Sequence, residues 1–229
     1  MSITTDRGGI EFEGAAPVAR RWGLAAATAS TAFGLLYLLG LGINLVTSGS
    51  PYPSGADVRT ISAGIALAWN VVLLILFAAL RREAHPANEF LAELGWVFAI
   101  QVCAVSCVSW FLGLTSSTLL AQGGNSELAE LANPYNPSSP AYALEHLGWG
   151  LFFGLAAVFT GLALRNGEGT RSLGRFLEAA GLLSLMHFIG VIIRNEPMTW
   201  LGFVAWGAFL PASTALAAGY FRRRLRPVE

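Results

Sequence analysis

The stretch RTISAGIALAWNVVLLILFAAL, residues 59–80, decides the fold class. It contains no charged side chain after Arg59 and is followed at once by two further arginines. A bilayer core of about 30 Å is crossed by a helix of about 20 apolar residues. The stretch is therefore predicted to span a membrane as one helix.

Five further stretches are of similar length and mostly apolar, and none of them contains more than two charged side chains. Of the 229 residues, 54% are hydrophobic and only 12% are charged, whereas about a quarter of the residues of a soluble domain are charged. We therefore predict an all-α protein, a polytopic membrane bundle of six transmembrane helices. The predicted helices cover residues 24–46, 59–80, 91–114, 142–164, 173–193 and 198–220.

This pattern divides the chain into three parts. Residues 1–21 are predicted to form a flexible cytoplasmic tail, since they lack the apolar core of a cleavable signal peptide. Residues 22–221 form the six-helix membrane domain, with an outer polar loop at about 115–140. Residues 222–229 form a basic cytoplasmic tail.

The arginines predict how the helices are threaded. All 14 basic residues are arginine, and short cytoplasmic loops of membrane proteins carry an excess of positive charge. If the N-terminus is cytoplasmic, only Arg59 and Arg194 lie on the outer side. The distribution predicts an N-in, C-in protein of the cell inner (plasma) membrane.

The composition also excludes several kinds of chemistry. A chain without lysine forms no Schiff base with retinal or pyridoxal phosphate and has no phosphate-loop lysine. A net charge of zero, with no basic tract beyond the C-terminal tail, argues against a nucleic-acid partner. No His-x-x-x-His spacing indicates a metal site, and the sequence leaves any cofactor unknown.

Polar side chains within the predicted helices are the candidates for function, because such groups are costly in hydrocarbon and usually face a partner or a wet cavity. With a rise of 1.5 Å per residue, two amides fall near the midplane of the membrane, and five groups fall in its outer half or at its boundary. The two amides are Asn70 and Gln101, and the five groups are Asn44, Glu145, His146, His187 and Arg194.

If the five outer groups meet, they form a polar vestibule with the two amides as its floor. The candidates for acid or base catalysis are His187, His146 and Glu145, since both residue types transfer protons. The predicted ligand-binding residues are Asn44, Asn70, Gln101, His146, His187 and Arg194.

The same residues also have structural explanations. Glu145 and His146 are adjacent, and adjacent side chains on a helix diverge by about 100°, so at most one is expected to point at a given centre. At the outer interface both reach water. His187 lies deeper, where it could make a hydrogen bond between helices. The pair forms a site only if His187 faces one of its members.

Three functions therefore stay open. The first is a membrane protein that binds, and in one version transports, a small apolar or amphipathic molecule or a lipid. The second is a membrane-embedded enzyme acting on an apolar substrate. The third is a non-catalytic subunit or assembly factor that contacts a membrane partner or a second copy. Gly150, Gly154 and Gly161, on one face of the fourth helix, permit such close contact.

Tryptophans are predicted in two positions. Those at helix ends are expected to anchor the protein at the membrane interface, and deeper ones to face neighbouring helices or line an apolar pocket. The first group is Trp22, Trp149 and Trp200, and the second is Trp69, Trp96, Trp110 and Trp206.

Two segments carry a resemblance to known membrane families. They are AWNVVLLILFAALRRE, residues 68–83, and HLGWGLFFGLAAVFTGLALRNG, residues 146–167, with a long polar link before the second. In this plan the chain resembles uncharacterised bacterial six-helix integral membrane families of the domain-of-unknown-function type. The resemblance implies the fold, and it brings no activity and no catalytic residue.

Overall fold

The computed structural model describes residues 15–53, 55–123 and 126–226, most of which are helical. Two π-helices, Leu147–Phe152 and Ala205–Phe209, interrupt long helices, and a 3-10 turn lies at Pro86–Asn88. The α-helices are α1 (Ala15–Ser48), α2 (Ala56–Arg81), α3 (Glu89–Ala121), α4 (Ser126–Leu131), α5 (Pro140–His146), α6 (Phe153–Leu164), α7 (Arg171–Ile192), α8 (Glu196–Val204) and α9 (Leu210–Arg224).

Six segments are long and apolar enough to cross a membrane, which confirms the predicted all-α bundle of six transmembrane helices. The fourth segment consists of α5, a π-helix and α6, and the sixth consists of α8, a π-helix and α9. Large apolar side chains such as Phe90 and Ile192 are exposed on the outer surface, as a lipid-facing surface requires. The six spans are Pro17–Ser48, Asp57–Arg81, Pro86–Ser116, Pro140–Leu164, Arg171–Ile192 and Glu196–Arg224.

The ends of the membrane domain differ in detail from the predicted boundaries. Helix α1 begins at Ala15, within the segment expected to be a tail, and residues 1–14 lie outside the described residues. Helix α9 continues to Arg224, so the predicted C-terminal tail begins inside a helix.

The six spans form a closed ring. Each span packs against the next one in the sequence, and the sixth packs back on the first. Short connections place consecutive spans antiparallel, so the ring has two ends. We call the end with the connections around His85 and Gly167 the terminal end, because the described residues begin and end there, at Ala15 and Arg226. The end with the connections around Pro51, Pro134 and Asn195 is the distal end.

Glycines bring the fourth and fifth spans into close contact. A methyl group at Gly154 would lie 2.7 Å from the Leu185 side chain, and one at Gly161 would lie 2.6 Å from the carbonyl oxygen of Gly174. Gly150 packs in the same way against Phe188. The close contact predicted at Gly150, Gly154 and Gly161 is made with α7 of the same chain, and a partner or a second copy there stays a prediction.

The two π-helices place tryptophans in the interior of the ring. Trp149 lies in the first and Trp206 in the second, and their ring centroids are 5.8 Å apart. Gly148 allows the first π-helix to approach α3, because a side chain there would overlap the hydroxyl of Ser106. Wide π turns within α-helices frequently occur at functional sites, and both of these turns border the same interior space.

Candidate functional site

A cavity of about 170 Å³ lies inside the ring, in its distal half. For comparison, a cavity of about 150 Å³ opened in a protein core by mutation binds benzene. The polar groups at its wall include Asn44, Ser62, Glu145 and His146. Its aromatic wall consists of Tyr37, Tyr52, Trp69, Trp110, Tyr135, Trp149, Phe203 and Trp206.

Tyrosines from two connections border the cavity at the distal end. The ring of Tyr52 lies 6.0 Å from that of Tyr135 and 6.2 Å from that of Phe203, measured between centroids. Burial raises the pKa of both Tyr52 and Tyr135 above the usual value for a phenol. Both hydroxyls are therefore neutral at physiological pH and can donate hydrogen bonds.

Several buried polar atoms of the lining residues have no hydrogen-bond partner within the described part of the chain. They are Oε2 of Glu145 and the indole nitrogens of Trp69, Trp110 and Trp149. Trp110 lies close enough to Glu145 for the two groups to interact, but outside hydrogen-bond geometry. A buried polar atom without a partner costs about 1–3 kcal/mol. These atoms are thus available to the polar groups of a ligand.

Two histidines are joined by a hydrogen bond at the wall of the cavity. Nδ1 of His146 lies 2.8 Å from Nε2 of His187, and Nδ1 of His187 lies 2.6 Å from the carbonyl oxygen of Thr199. Because a carbonyl oxygen only accepts, His187 donates its Nδ1 proton to Thr199. When His187 is neutral its Nε2 is an acceptor, so His146 donates from Nδ1. The unprotonated nitrogen of the pair is then Nε2 of His146.

Close packing of α7 and α8 holds His187 in place. A methyl group at Gly202 would lie 2.5 Å from Nδ1 of His187, and one at Gly190 would lie 2.6 Å from the Met198 side chain. These two glycines let the helices approach until the imidazole reaches the carbonyl group of Thr199. The ring of His187 is fully buried, so its orientation is fixed by the fold.

The structure brings four of the predicted site residues together. Asn44, Glu145 and His146 line the cavity, and His187 lies behind His146. Glu145 and His146 both reach the cavity although they are adjacent, because a cavity of this width accommodates two diverging side chains. The sequence predicts a site only if His187 faces Glu145 or His146, and in the structure His187 faces His146.

The remaining predicted residues lie elsewhere. Asn70 is buried but is not part of the cavity wall, and its amide donates to the carbonyl oxygen of Ala66 in its own helix at 2.9 Å. Gln101 and Arg194 are exposed on the outside of the bundle. Arg194 has a positive φ of 55° and lies in the turn that ends α7.

Comparison of the chain with known protein families, with curated proteins and with solved structures finds no match. The cavity and the histidine pair therefore have to indicate the function by their own chemistry. Among residues 15–53, 55–123 and 126–226, no group of three His, Cys, Asp or Glu side chains could hold a metal ion. The groups present at the site offer hydrogen bonding, charge and proton transfer.

Part of the aromatic wall was missed from the sequence. Trp149 was expected at the membrane interface, but it is buried in the ring interior, whereas Trp69, Trp110 and Trp206 line the pocket as expected. The positions of Tyr52 and Tyr135 at the cavity have a signal in the sequence. Each stands between prolines, in Pro51-Tyr52-Pro53 and in Pro134-Tyr135-Asn136-Pro137, and proline fixes the backbone of a connection.

Proposed function

We propose that this protein binds a small amphipathic molecule in the cavity between its helices. One observation carries the proposal: an aromatic cavity has Glu145 Oε2 and three indole nitrogens at its wall, all buried and without hydrogen-bond partners in the part of the chain that the structure describes. Binding sites for small molecules are typically apolar with a few convergent polar groups. The aromatic wall suits the apolar part of such a molecule, and the unpaired atoms suit its polar part.

We also propose that the distal end faces the outside of the plasma membrane. The arginines support this orientation, because every arginine of the described residues except Arg59 and Arg194 lies on the side of the terminal end. The cavity would then be reached from outside the cell.

The interior of the ring favours binding over transport. Toward the terminal end the interior is filled by buried apolar side chains, among them Leu80, Leu164 and Leu173. Transport requires that a site be reached from each side in turn. A ring that is filled on one side of its cavity supports a protein that takes up and releases its ligand at the distal end.

Two glycines of α1 provide a matched test. Gly40 lines the cavity, whereas Gly42 does not, and a Cβ atom at either position meets no atom within 4 Å among the described residues. We expect Gly40→Phe to obstruct the cavity and Gly42→Phe to project outward without effect. Tryptophan fluorescence of the purified protein, titrated with benzyl alcohol as a probe of suitable size, reports on occupancy because four indoles line the site.

The expected result is a saturable fluorescence change in the native protein and in Gly42→Phe, and none in Gly40→Phe. A change that is linear in probe concentration in all three proteins reports partition into lipid and contradicts the proposal. The same is true of a saturable change that Gly40→Phe leaves intact, because the probe is then bound elsewhere.

The histidine pair supports a second candidate function, a membrane-embedded enzyme. His146 lines the cavity and has an unprotonated Nε2, and His187 orients the ring by accepting the hydrogen bond that Nδ1–H of His146 donates. A base oriented by a third group is the arrangement used in proton abstraction and in activation of nucleophiles. His146 would then be the base that takes a proton from a molecule in the cavity.

This assignment predicts how the three histidines react with diethyl pyrocarbonate, which modifies unprotonated imidazole nitrogens. We expect exposed His85 to react fastest and His187, with both nitrogens bonded, to resist. His146 should react at Nε2, and saturating benzyl alcohol should slow its reaction without affecting His85. Peptide mapping by mass spectrometry measures the three rates, and modification of His187 as fast as His146 would contradict the assigned tautomers.

A further inference from the structure

The cavity wall contains an acidic side chain and no arginine or lysine among the described residues. Glu145 is the one carboxyl group among the described lining residues, and none of these residues is an arginine. The chain has no lysine. No ion pair joins Glu145 to another residue in the described ranges, since the pairs found there involve Glu83, Glu93 and Glu178. A carboxyl group in such a place is either the neutral acid or, when it is ionised, the counter-ion of a positive partner.

The neighbouring histidines do not supply that charge. The hydrogen bond between His146 and His187, and the one from His187 to the carbonyl group of Thr199, are both satisfied with neutral rings. Although it is adjacent in the chain, His146 forms no ion pair with Glu145 within the structure described. No described residue of the cavity wall therefore supplies a positive charge, so a cation that pairs with an ionised Glu145 would come from a ligand.

The aromatic wall suits the same kind of partner. Trp149 lies between Trp69 and Trp206, with centroid distances of 5.3 Å and 5.8 Å, and all three line the cavity. The face of an indole ring attracts a cation within about 6 Å of its centroid, more strongly than the face of tyrosine or phenylalanine. Such rings bind a cation and keep water away from its counter-ion.

We infer that the cavity binds a small organic cation, an alkylammonium group, with Glu145 as its counter-ion and the indoles of Trp69, Trp149 and Trp206 as its walls. The inference rests on the proposed function and names the chemical class of the ligand. A cavity of about 170 Å³ accepts a group of the size of benzene, and a trimethylammonium group is no larger. The unpaired indole N–H groups serve a hydroxyl or ether oxygen beside the cationic centre.

The charge can be tested separately from the shape. Choline and 3,3-dimethylbutan-1-ol have nearly the same shape, but only choline is charged. The protein, in nanodiscs of phosphatidylglycerol, is titrated with each probe while tryptophan fluorescence is recorded. All titrations are done at about 0.5–1 M salt, where the negative lipid surface is screened and does not concentrate choline. We expect choline to bind at least tenfold more tightly than the neutral alcohol. Gly40→Phe should abolish binding of both, and Gly42→Phe should preserve it.

Glu145→Gln removes the charge and keeps the size of the side chain. We expect it to weaken choline binding at least tenfold and to leave the affinity for the neutral alcohol unchanged, which also shows that the variant is folded. Glu178→Gln is the matched control, because Glu178 lies in another span, outside the cavity wall. It should change neither affinity.

The outcomes separate this inference from the proposed function. If the neutral alcohol binds as tightly as choline and Gly40→Phe abolishes both, the cavity is a binding site but the cationic ligand is wrong. If neither probe binds saturably, the inference and the proposed function both fail. The comparison of the two probes on the native protein shows whether the cavity prefers a cation, even if Glu145→Gln does not fold.

The cationic group could belong to a free amine or to the headgroup of a lipid. Repeating the choline titration in nanodiscs of phosphatidylcholine distinguishes these sources. If the headgroup enters the cavity, the lipid competes and the apparent affinity for choline falls. If only free amines enter, the affinity is the same in both lipids.

Discussion

The two ends of the ring treat a buried carboxyl group in opposite ways. At the terminal end, Glu83 accepts hydrogen bonds from Arg20 at 2.8 Å and from the hydroxyl of Tyr220 at 2.6 Å. In the distal half, Glu145 makes no ion pair within the described residues, and its Oε2 has no hydrogen-bond partner. The chain itself supplies hydrogen-bond partners for Glu83, whereas Glu145 is left available to a ligand.

Their surroundings differ in the same direction. The Glu83 contacts join the first, second and sixth spans, and ion pairs from Arg81 to Glu93 and from Arg165 to Glu178 join further neighbours at the terminal end. The cavity that Glu145 lines also carries three indole nitrogens without a hydrogen-bond partner among the described residues. Polar groups at the terminal end therefore stabilise the ring, whereas those in the distal half are arranged for binding.

The largest expected effect of a substitution on stability is at Glu83. The carboxyl group is 5% exposed, whereas Arg20 and Arg224 beside it are 27% and 55% exposed. Breaking a buried ion pair costs about 3–5 kcal/mol, and partial exposure of the arginines reduces this. We expect Glu83→Gln to lower the free energy of unfolding by about 2–3 kcal/mol, measured by denaturation of the purified protein.

The matched control for this variant is Glu93→Gln. Glu93 and its partner Arg81 are each 39% exposed, and an exposed pair contributes less than about 1 kcal/mol. If the two variants lost the same free energy of unfolding, the contacts of Glu83 would not be the ones that stabilise the terminal end.

The opposite result is expected at Glu145. Glu145→Gln replaces a carboxyl group without an ion-pair partner by a neutral amide, so no ion pair with another described residue is lost. We expect the stability of the ligand-free protein to stay the same or to rise by up to about 1 kcal/mol, because the cost of burying a charge is removed. A loss as large as that of Glu83→Gln would show that Glu145 belongs to the fold and would remove the contrast between the two ends.

The fold could be predicted from the sequence because it depends on properties that add along the chain. Length and lack of charge identified all six spans, and the stretch at 59–80 alone specified the class. Depth in the membrane follows from a fixed rise per residue. This placed Asn44, Glu145, His146 and His187 at a similar level, and these four residues do meet.

Direction around a helix could not be predicted in the same way. The face on which a side chain lies depends on the packing of each helix and on wide turns within it, such as the π-helix that contains Trp149. Gln101 is predicted near the midplane of the membrane, as a floor of the cavity, but its side chain faces outward. The contact between His187 and a carbonyl oxygen of α8 has no sequence signal, because a backbone acceptor can belong to any residue.

Arg194 gives the smallest expected effect, and it tests whether this arginine belongs to the distal site as the sequence predicted. The residue is exposed, it does not line the cavity, and its positive φ is one that glycine adopts without cost. The next amide, of Asn195, donates to the carbonyl oxygen of Gly190 at 2.8 Å, which is a typical end for a helix. A left-handed conformation costs a residue with a side chain about 1–2 kcal/mol, and glycine gives back part of this gain in backbone entropy. Arg194→Gly should therefore raise the free energy of unfolding by about 0.5–1 kcal/mol and leave choline binding unchanged. Arg194→Ala keeps the strained backbone and should not give this increase. If both variants bound choline more weakly than the native protein, Arg194 would contribute to the binding site after all.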